Sequence, residues 1–155
     1  VIPSNKEIKN LLLWRPNDIS KIEAVTTKGG SWLILIKSAT NVLKGDNFVF
    51  VYPELLQNKI IVRTGEIITS EILGKNEHDY KNINLKIKTL LRKTRDKIKS
   101  RGSIVNEITT KGDFIKKIRD SIEVNQKNKY LIEVVSLKDS KTAEAIIVEL
   151  NITQL

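Results

Sequence analysis

The segment from Tyr80 to Arg101 carries almost all of the net charge of this chain, and this limits how the chain can fold. Nine lysines and arginines stand against one acid, Asp96, between Lys81 and Arg101, which gives +8 of the formal +9. The other 134 residues hold 18 basic and 17 acidic side chains and are nearly neutral. Charges of one sign at this density cannot be buried. The segment therefore has to lie at the surface.

The apolar residues of the segment recur at helical spacing. At about 100° per residue they fall within a stripe of roughly 100°. They are Tyr80, Ile83, Ile87, Leu90, Leu91 and Ile98. Asp79 is a typical N-cap, and Gly102 is a typical residue after the last turn. We therefore predict an amphipathic helix from Tyr80 to Arg101 that packs its apolar stripe against the rest of the chain.

The cations of the predicted helix lie on both sides of the apolar stripe. Five of them fall within roughly 60° of one another, centred about 110° from the stripe: Lys81, Lys88, Arg92, Arg95 and Lys99. Lys86, Lys93 and Lys97 take the other flank. Like charges three and four residues apart repel each other by a few tenths of a kcal/mol per pair. An anionic partner that relieves this repulsion is therefore expected.

Nucleic acid is the leading candidate for that partner, because cations that project once per helical turn match the regular spacing of phosphates along a strand. The predicted phosphate-contacting residues are Lys81, Lys88, Arg92, Lys93, Arg95, Lys97, Lys99 and Arg101. An acidic protein partner in a structural or assembly complex is an alternative, and so is a merely solvated helix face. A membrane surface is disfavoured because the apolar stripe lacks tryptophan and phenylalanine. DNA versus RNA, duplex versus single strand and oligomeric state stay open.

The remaining pattern predicts the fold class. A chain of 155 residues, 40% hydrophobic and 29% charged, is typical of one soluble globular domain. The order helix, strands, two helices and hairpin indicates a single α+β domain over residues 1–155. We expect an antiparallel sheet or a small, partly open barrel, with the long basic helix and a C-terminal hairpin.

The predicted elements outside the basic helix follow from local signals. A capping box at Ser4 and Glu7 predicts a helix from Asn5 to Trp14 that Pro16 ends. Strands are predicted at Lys21 to Thr26, Ser31 to Lys37, Leu43 to Tyr52 with Pro53 as its end, Lys59 to Arg63, Glu66 to Leu73, Tyr130 to Ser136 and Thr142 to Leu150. Thr64 and Gly65 predict a hairpin turn, and Asp113 predicts the N-cap of a helix from Phe114 to Glu123.

The sequence contains few residues that could support catalysis. The chain has no cysteine and one histidine, His78, so cysteine-based zinc sites, thiol nucleophiles and histidine metal cages are excluded. Serine-hydrolase and phosphate-loop motifs are also absent from the sequence. We predict no catalytic residue, metal or cofactor. The alternative is a metal-dependent nuclease with a divergent carboxylate site, for which Glu71 and Glu133 are the nearest acids, though without the usual spacing to a lysine.

Two further groups of residues allow two interpretations each. Glu77, His78, Asp79 and Tyr80 could supply chemistry beside a phosphate-binding helix, but a capping role is favoured. Trp32, Phe48, Phe50 and Tyr52 could stack on nucleobases, but a core role is favoured because aromatic residues are only 5% of the chain.

Targeting signals are also missing from the sequence. It has no run of about 18 apolar residues and no signal-peptide pattern at its first residues. We therefore expect a cytoplasmic or otherwise intracellular protein.

Overall fold

A computed structural model of the chain describes residues 12–41, 48–122 and 128–155. The chain forms two compact units, Val1–Asn58 and Lys59–Leu155. The described ranges contain three helices and nine strands in mixed and antiparallel sheets, and none of these sheets closes into a barrel. The predicted α+β class is therefore confirmed, with open sheets. The single domain over residues 1–155 stays a prediction.

The first unit is built on a three-stranded sheet. Its elements are β1 (Leu12–Leu13), α1 (Pro16–Thr26), β2 (Trp32–Ser38) and β3 (Val49–Gln57). The strand order is β1-β3-β2, with β1 parallel and β2 antiparallel to β3. The predicted strand from Ser31 to Lys37 is confirmed as β2.

The predictions around Pro16 were wrong. Pro16 begins helix α1 instead of ending a helix, because the first helical position needs no amide hydrogen. Leu12 and Leu13 form a strand, and the rest of the predicted helix, residues 5–11, lies outside the described residues. The predicted strand from Lys21 to Thr26 is helical. Asp18 is the only residue of α1 that is buried, so this helix lacks the apolar period that identifies a helix in a sequence.

Strand β3 differs from its prediction at both ends. Residues 43–47 of the predicted strand lie outside the described range, and the observed strand runs through Pro53 to Gln57. Strand β1 pairs with β3 only at Val49 and Phe50. Beyond Phe50 this side of β3 is an edge among the described strands, and proline is tolerated at an edge because no ladder hydrogen bond is lost.

The aromatic residues of β3 are not core residues, which corrects the favoured interpretation. Phe48, Phe50 and Tyr52 are 51%, 49% and 42% exposed. Val51 is the one buried apolar residue among the described part of this unit. The sheet is too small to cover both of its faces, so the face that carries the three rings stays open.

The second unit contains the larger core. Its elements are β4 (Ile60–Val62), β5 (Ile67–Leu73), α2 (Tyr80–Ser100), β6 (Ile108–Thr110), α3 (Phe114–Ser121), β7 (Tyr130–Ser136), β8 (Ser140–Lys141) and β9 (Ile146–Gln154). A four-stranded sheet has the order β5-β7-β9-β6, in which only β6 runs parallel to its neighbour. Strands β4 and β8 form a separate antiparallel pair.

The predicted hairpin around Thr64 and Gly65 was wrong. The two strands exist, but β4 pairs with β8 and β5 pairs with β7. Gly65 does adopt a positive φ of 76°, and its amide donates to the carbonyl of Ser136 at 2.8 Å. The turn therefore leads the chain into a pairing with distant strands.

The predicted C-terminal hairpin is confirmed. Strands β7 and β9 are antiparallel, with the register running from Tyr130 opposite Gln154 to Ser136 opposite Val148. Strand β9 begins later than predicted, at Ile146, and Ser140 and Lys141 of the predicted loop form β8, which pairs with β4.

Alternate residues of the central strands form the core, as period-two patterning requires. The buried positions are Tyr130, Ile132 and Val134 on β7 and Ile146, Val148 and Leu150 on β9. They form one hydrophobic cluster with residues of α2 and α3, including Ile83, Leu90, Ile98, Phe114 and Ile118. This cluster fixes the basic helix to the sheet.

The apolar stripe of α2 is confirmed except at its first residue. Ile83, Ile87, Leu90 and Ile98 are buried, but Tyr80 is 62% exposed. Side chains in a helix lean towards its N-terminus. The Tyr80 side chain in the first turn therefore points past the end of the helix and away from the core.

Candidate nucleic-acid interface

The basic helix begins at a well-defined cap. The Asp79 carboxylate accepts a hydrogen bond from the backbone amide of Asn82 at 3.0 Å, and this bond lowers the pKa of Asp79. Glu77 accepts from the amide of Gly74 at 2.7 Å, which likewise lowers the pKa of Glu77. Asp79 therefore caps the start of α2, as the sequence predicts, and Glu77 closes the turn that precedes it.

Three cations of the helix segment are paired with acids. Lys86 lies 3.4 Å from Glu77, Lys93 pairs with Glu71, and Arg101 lies 2.6 Å from Glu66. We call Lys86, Lys93 and Arg101 the paired cations. All three acids precede α2 in the chain, two of them on or beside β5. Their charges neutralise the flank of α2 that faces this part of the unit.

A second set of cations has no such partners. We call Lys81, Lys88, Arg92, Arg95 and Lys99 the outward row. All five residues are exposed. They lie about 130° around the helix axis from the line of buried residues. None of them forms an ion pair with any residue in the described ranges. Arg95 donates from Nε to the carbonyl oxygen of Asn106 at 3.2 Å, which orients its guanidinium without neutralising it.

Arg101 is predicted from the sequence to contact phosphate, like the outward row, but its side chain is engaged within the protein. Its Nη1 donates to the carbonyl of Ile61 at 3.0 Å as well as contacting Glu66. On the helical wheel Arg101 falls on the same side as Ile83 and Leu90, so it turns inward. This arginine is committed to contacts within its own unit.

Lys97 lies on the flank of the paired cations but forms no ion pair within the described ranges. Its residue is exposed, and its positive charge is one of the influences that lower the pKa of Glu66. Burial works to raise that pKa, but the amide of Arg63 and the guanidinium of Arg101 donate to the carboxylate and outweigh the effect. Lys97 therefore acts on Glu66 at a distance while its amine stays accessible.

The uncharged polar residues of α2, which could hydrogen-bond to bases or sugars, mostly bond within the protein. Asn82 binds Asp79 through its amide, and Asn84 donates to the carbonyl of Tyr80 at 3.0 Å. Thr94 is fully buried. Only Thr89, which is half-buried, has no such bond among the described contacts. The accessible chemistry of the helix is therefore mainly positive charge.

No family model matches this chain, and neither does any curated protein or solved structure. Its function has to be inferred from the residues themselves.

Arg119, which the fold brings to the start of α2, is not among the residues predicted from the sequence. Arg119 lines a small cavity with His78, Tyr80 and Ile83. His78 Nε2 lies 3.1 Å from the carbonyl of Asn128 and therefore carries a proton on that nitrogen. Arg119 is exposed and belongs to α3, so only the packing of α3 beside α2 could have revealed it.

The acids considered for a nuclease site are used in structural contacts. Glu71 pairs with Lys93, and Glu133 accepts from the side-chain amide of Asn151 at 3.0 Å. No group of three or more histidine or acidic side chains gathers in the part of the chain that the structure describes. In the same ranges, no helix has both the length and the apolar character needed to cross a membrane.

Proposed function

We propose that this protein binds nucleic acid by placing the outward row of α2 against the phosphate backbone. The proposal is supported by one observation, that the cations on one flank of α2 are in ion pairs and those on the other flank are not. Acids of the same unit neutralise the paired cations, whereas the outward row is exposed and forms no ion pair within the described residues. Asp96 is the one acid of α2, so five cations stand against a single acid on this side of the helix. This excess creates a local positive potential that attracts a polyanion.

The shape of the outward row supports a linear polyanion as the partner. Lys81 and Lys99 are 18 residues apart, which corresponds to about 27 Å along a helix. The row is straight because its members are spaced by seven, four, three and four residues, each close to a whole number of helical turns. Arginine can bind phosphate with two parallel hydrogen bonds, and lysine acts as a point charge. The row therefore suits a regular series of phosphates.

The binding is expected to be largely independent of base sequence. Specific readout needs side chains that hydrogen-bond to base edges. On α2 the amides of Asn82 and Asn84 are held by the helix itself. Phosphate contacts are left as the main source of affinity.

A salt series measures how many cations take part. Each phosphate contact contributes about −0.9 to the slope of log K against log salt for duplex DNA. The outward row alone gives a slope near −4.5, whereas contacts from all eight predicted cations would give about −7. A slope near zero would exclude the proposal.

Two neighbouring residues provide a matched pair of variants. Arg92→Ala removes a member of the outward row and should make the slope less negative by about 1, with weaker binding to every sequence. Lys93→Ala removes a paired cation on the same turn and should leave the slope unchanged. Both are measured by fluorescence anisotropy with a labelled duplex. Equal effects of the two substitutions would contradict the division into two sets of cations.

An acidic protein partner is tested in the same assay. A polyglutamate chain of the same charge as the duplex is added as competitor. Nucleic acid should bind at least tenfold more tightly, because its phosphates are regularly spaced and the arginines bind phosphate with two hydrogen bonds. Equal competition by polyglutamate would favour an acidic protein and overturn the proposal.

A further inference from the structure

A groove of about 810 Å³ lies within the described part of the first unit. Its lining includes two aromatic rings of β3, the residues that lead into α1 and the first turns of that helix. The charged and aromatic residues of the lining are Trp14, Arg15, Asp18, Lys21, Phe50 and Tyr52. None of them belongs to the basic helix, so the groove is a separate feature.

The groove follows from where β1 ends. Strand β1 pairs with β3 at Val49 and Phe50, and then the chain turns into α1. From Val51 onward this side of β3 has no strand partner among the described residues. The first turns of α1 and the open edge of β3 form the two walls.

The aromatic rings of β3 are accessible, since Phe50 and Tyr52 are 49% and 42% exposed. Phe50 and Tyr52 share one face of β3, since successive side chains alternate between faces. The ring of Phe48 meets that of Phe50 edge to face, with centroids 5.6 Å apart. Exposed rings in a row on a strand provide stacking surfaces for nucleobases.

Asp18 supplies a hydrogen-bond acceptor in the groove. It is only 8% exposed, and its Oδ2 is buried without a hydrogen-bond partner. Its other oxygen lies 3.8 Å from the amine of Lys21. Buried acceptors nearly always have a donor, so an unpaired one lining a groove indicates a ligand that carries an N–H group.

Positive charge lies beside the acceptor. Arg15 and Lys21 are exposed residues that line the groove on the α1 side. A ligand that satisfies all three features has a flat π face, an N–H donor and a negative charge close together. A nucleotide with an amino group on its base has these three groups.

We propose that this groove binds an unpaired base of a single-stranded nucleic acid. The base stacks on Phe50 and Tyr52 and donates its exocyclic amine to Asp18 Oδ2, while the adjoining phosphates contact Arg15 and Lys21. The inference rests on the proposed function and names its substrate class: single strands that contain cytosine, adenine or guanine. A base pair cannot enter, because both its faces and its hydrogen-bonding edge are already occupied.

The test compares three labelled ligands of equal length with the full chain: oligocytidine, oligouridine and a duplex. Uracil has no exocyclic amine, and its one N–H lies between two carbonyl oxygens that a carboxylate repels, so oligocytidine should bind about 5- to 100-fold more tightly than oligouridine. Tyr52→Ala should weaken oligocytidine binding by a similar factor and leave duplex binding unchanged. Ile36→Ala on β2, an exposed apolar residue outside the groove lining, is the matched control and should change neither.

Asp18→Asn tests the hydrogen bond while preserving the shape of the side chain. An amide offers a donor as well as an acceptor, so the preference for cytosine over uracil should fall towards one. Equal binding of the two oligomers by the unmodified chain, or an unchanged preference in Asp18→Asn, would overturn the assignment of Asp18.

The groove inference and the proposed role of α2 can be refuted separately. Arg92→Ala should weaken duplex and single strand alike, whereas Tyr52→Ala should affect only the single strand. If Tyr52→Ala has no effect, the groove inference is wrong and the proposed role of α2 stands. If Arg92→Ala has no effect, the proposed role of α2 is wrong.

A direct measurement checks the groove without relying on α2. In a Trp32→Phe variant Trp14 is the only tryptophan, and it lines the groove. A cytidine trinucleotide should quench its fluorescence in a saturable way. No quenching at millimolar trinucleotide would refute the inference, and so would equal quenching by a short peptide of the same charge.

Discussion

Replacing Thr94 with valine should destabilise the unit formed by residues 59–155 by about 1–2 kcal/mol. Thr94 is fully buried on α2, and its Oγ1 lies 2.7 Å from the carbonyl of Leu90 and 2.5 Å from Oγ1 of Thr69 on β5. A hydroxyl has one hydrogen. If Thr94 donates to Leu90, Thr69 has to be the donor in the bond between the two threonines.

With this direction of the hydrogen bond, the two threonine-to-valine substitutions have different costs in stability. Thr94→Val leaves the half-buried hydroxyl of Thr69 without its acceptor, and an unsatisfied donor costs about 1–3 kcal/mol when it is buried. Partial access of water to Thr69 lowers this to about 1–2 kcal/mol. Thr69→Val leaves Thr94 still bonded to Leu90, so it removes one hydrogen bond at about 0.5–1 kcal/mol. The double variant leaves no unpaired donor and should cost about 0.5–1 kcal/mol less than the sum.

Urea unfolding measures these differences, with circular dichroism at 222 nm as the signal. That signal follows the helices, of which α2 is the longest in the described residues. Tryptophan fluorescence serves as the control, because both tryptophans, Trp14 and Trp32, belong to the other unit. The fluorescence transition should not move if that unit unfolds independently. A larger cost for Thr69→Val than for Thr94→Val, or strict additivity, would refute the direction of the bond.

Two further predictions concern capping and acid stability. Asp113→Ala should lower the free energy of unfolding, measured in urea, by about 1 kcal/mol, because Oδ1 of Asp113 accepts from the amides of Ile115 and Lys116 at the start of α3. Asp113→Asn should retain most of that stability. An equal loss in both variants would argue against the cap. The amide and hydroxyl of Thr64 hold the pKa of Asp139 below its ordinary value, so its contribution to stability is present above that ordinary value, about 3.9, and is lost as the pH falls through the lower, folded-state pKa. An NMR titration of Asp139 should give a midpoint below 3.9 that rises in Thr64→Val; a midpoint at or above it would contradict the bond.

The helices that the sequence predicts correctly are those with a buried face and a local cap. Asp79 and Asp113 each begin a helix at the predicted residue, and the buried residues of α2 keep the expected spacing. Helix α1 was missed because almost nothing on it is buried. Where a helix packs little apolar surface, its sequence carries no periodic signal, and a proline at its first position then looks like an end.

Strand pairing could not be predicted from local sequence. The turn at Thr64 and Gly65 has hairpin composition, but the partners of β4 and β5 lie 57 to 81 residues further along the chain. Which strands pair depends on how the larger sheet buries its alternating apolar residues. That is a property of the whole unit, and no turn signal encodes it.

The same limit applies to the candidate interface. The charge count identifies α2 as the basic element, but it cannot separate Arg92 from Lys93. Glu71, which pairs with Lys93, is 22 residues away on another element. Likewise, the aromatic pattern of β3 is the same for a core strand and an exposed one, and only the size of its sheet exposes Phe50.

The strand order of the larger sheet also affects the order in which it can form. Its two inner strands, β7 and β9, are the last two long strands in the sequence, whereas β5 and α2 come earlier. During synthesis from the N-terminus, β5 and α2 are both complete before β7 and β9, the two strands that join β5 into the sheet, have left the ribosome. Contacts between residues so far apart in sequence close slowly. The nascent chain therefore presents a cationic, half-apolar helix close to ribosomal RNA before the sheet that anchors it exists.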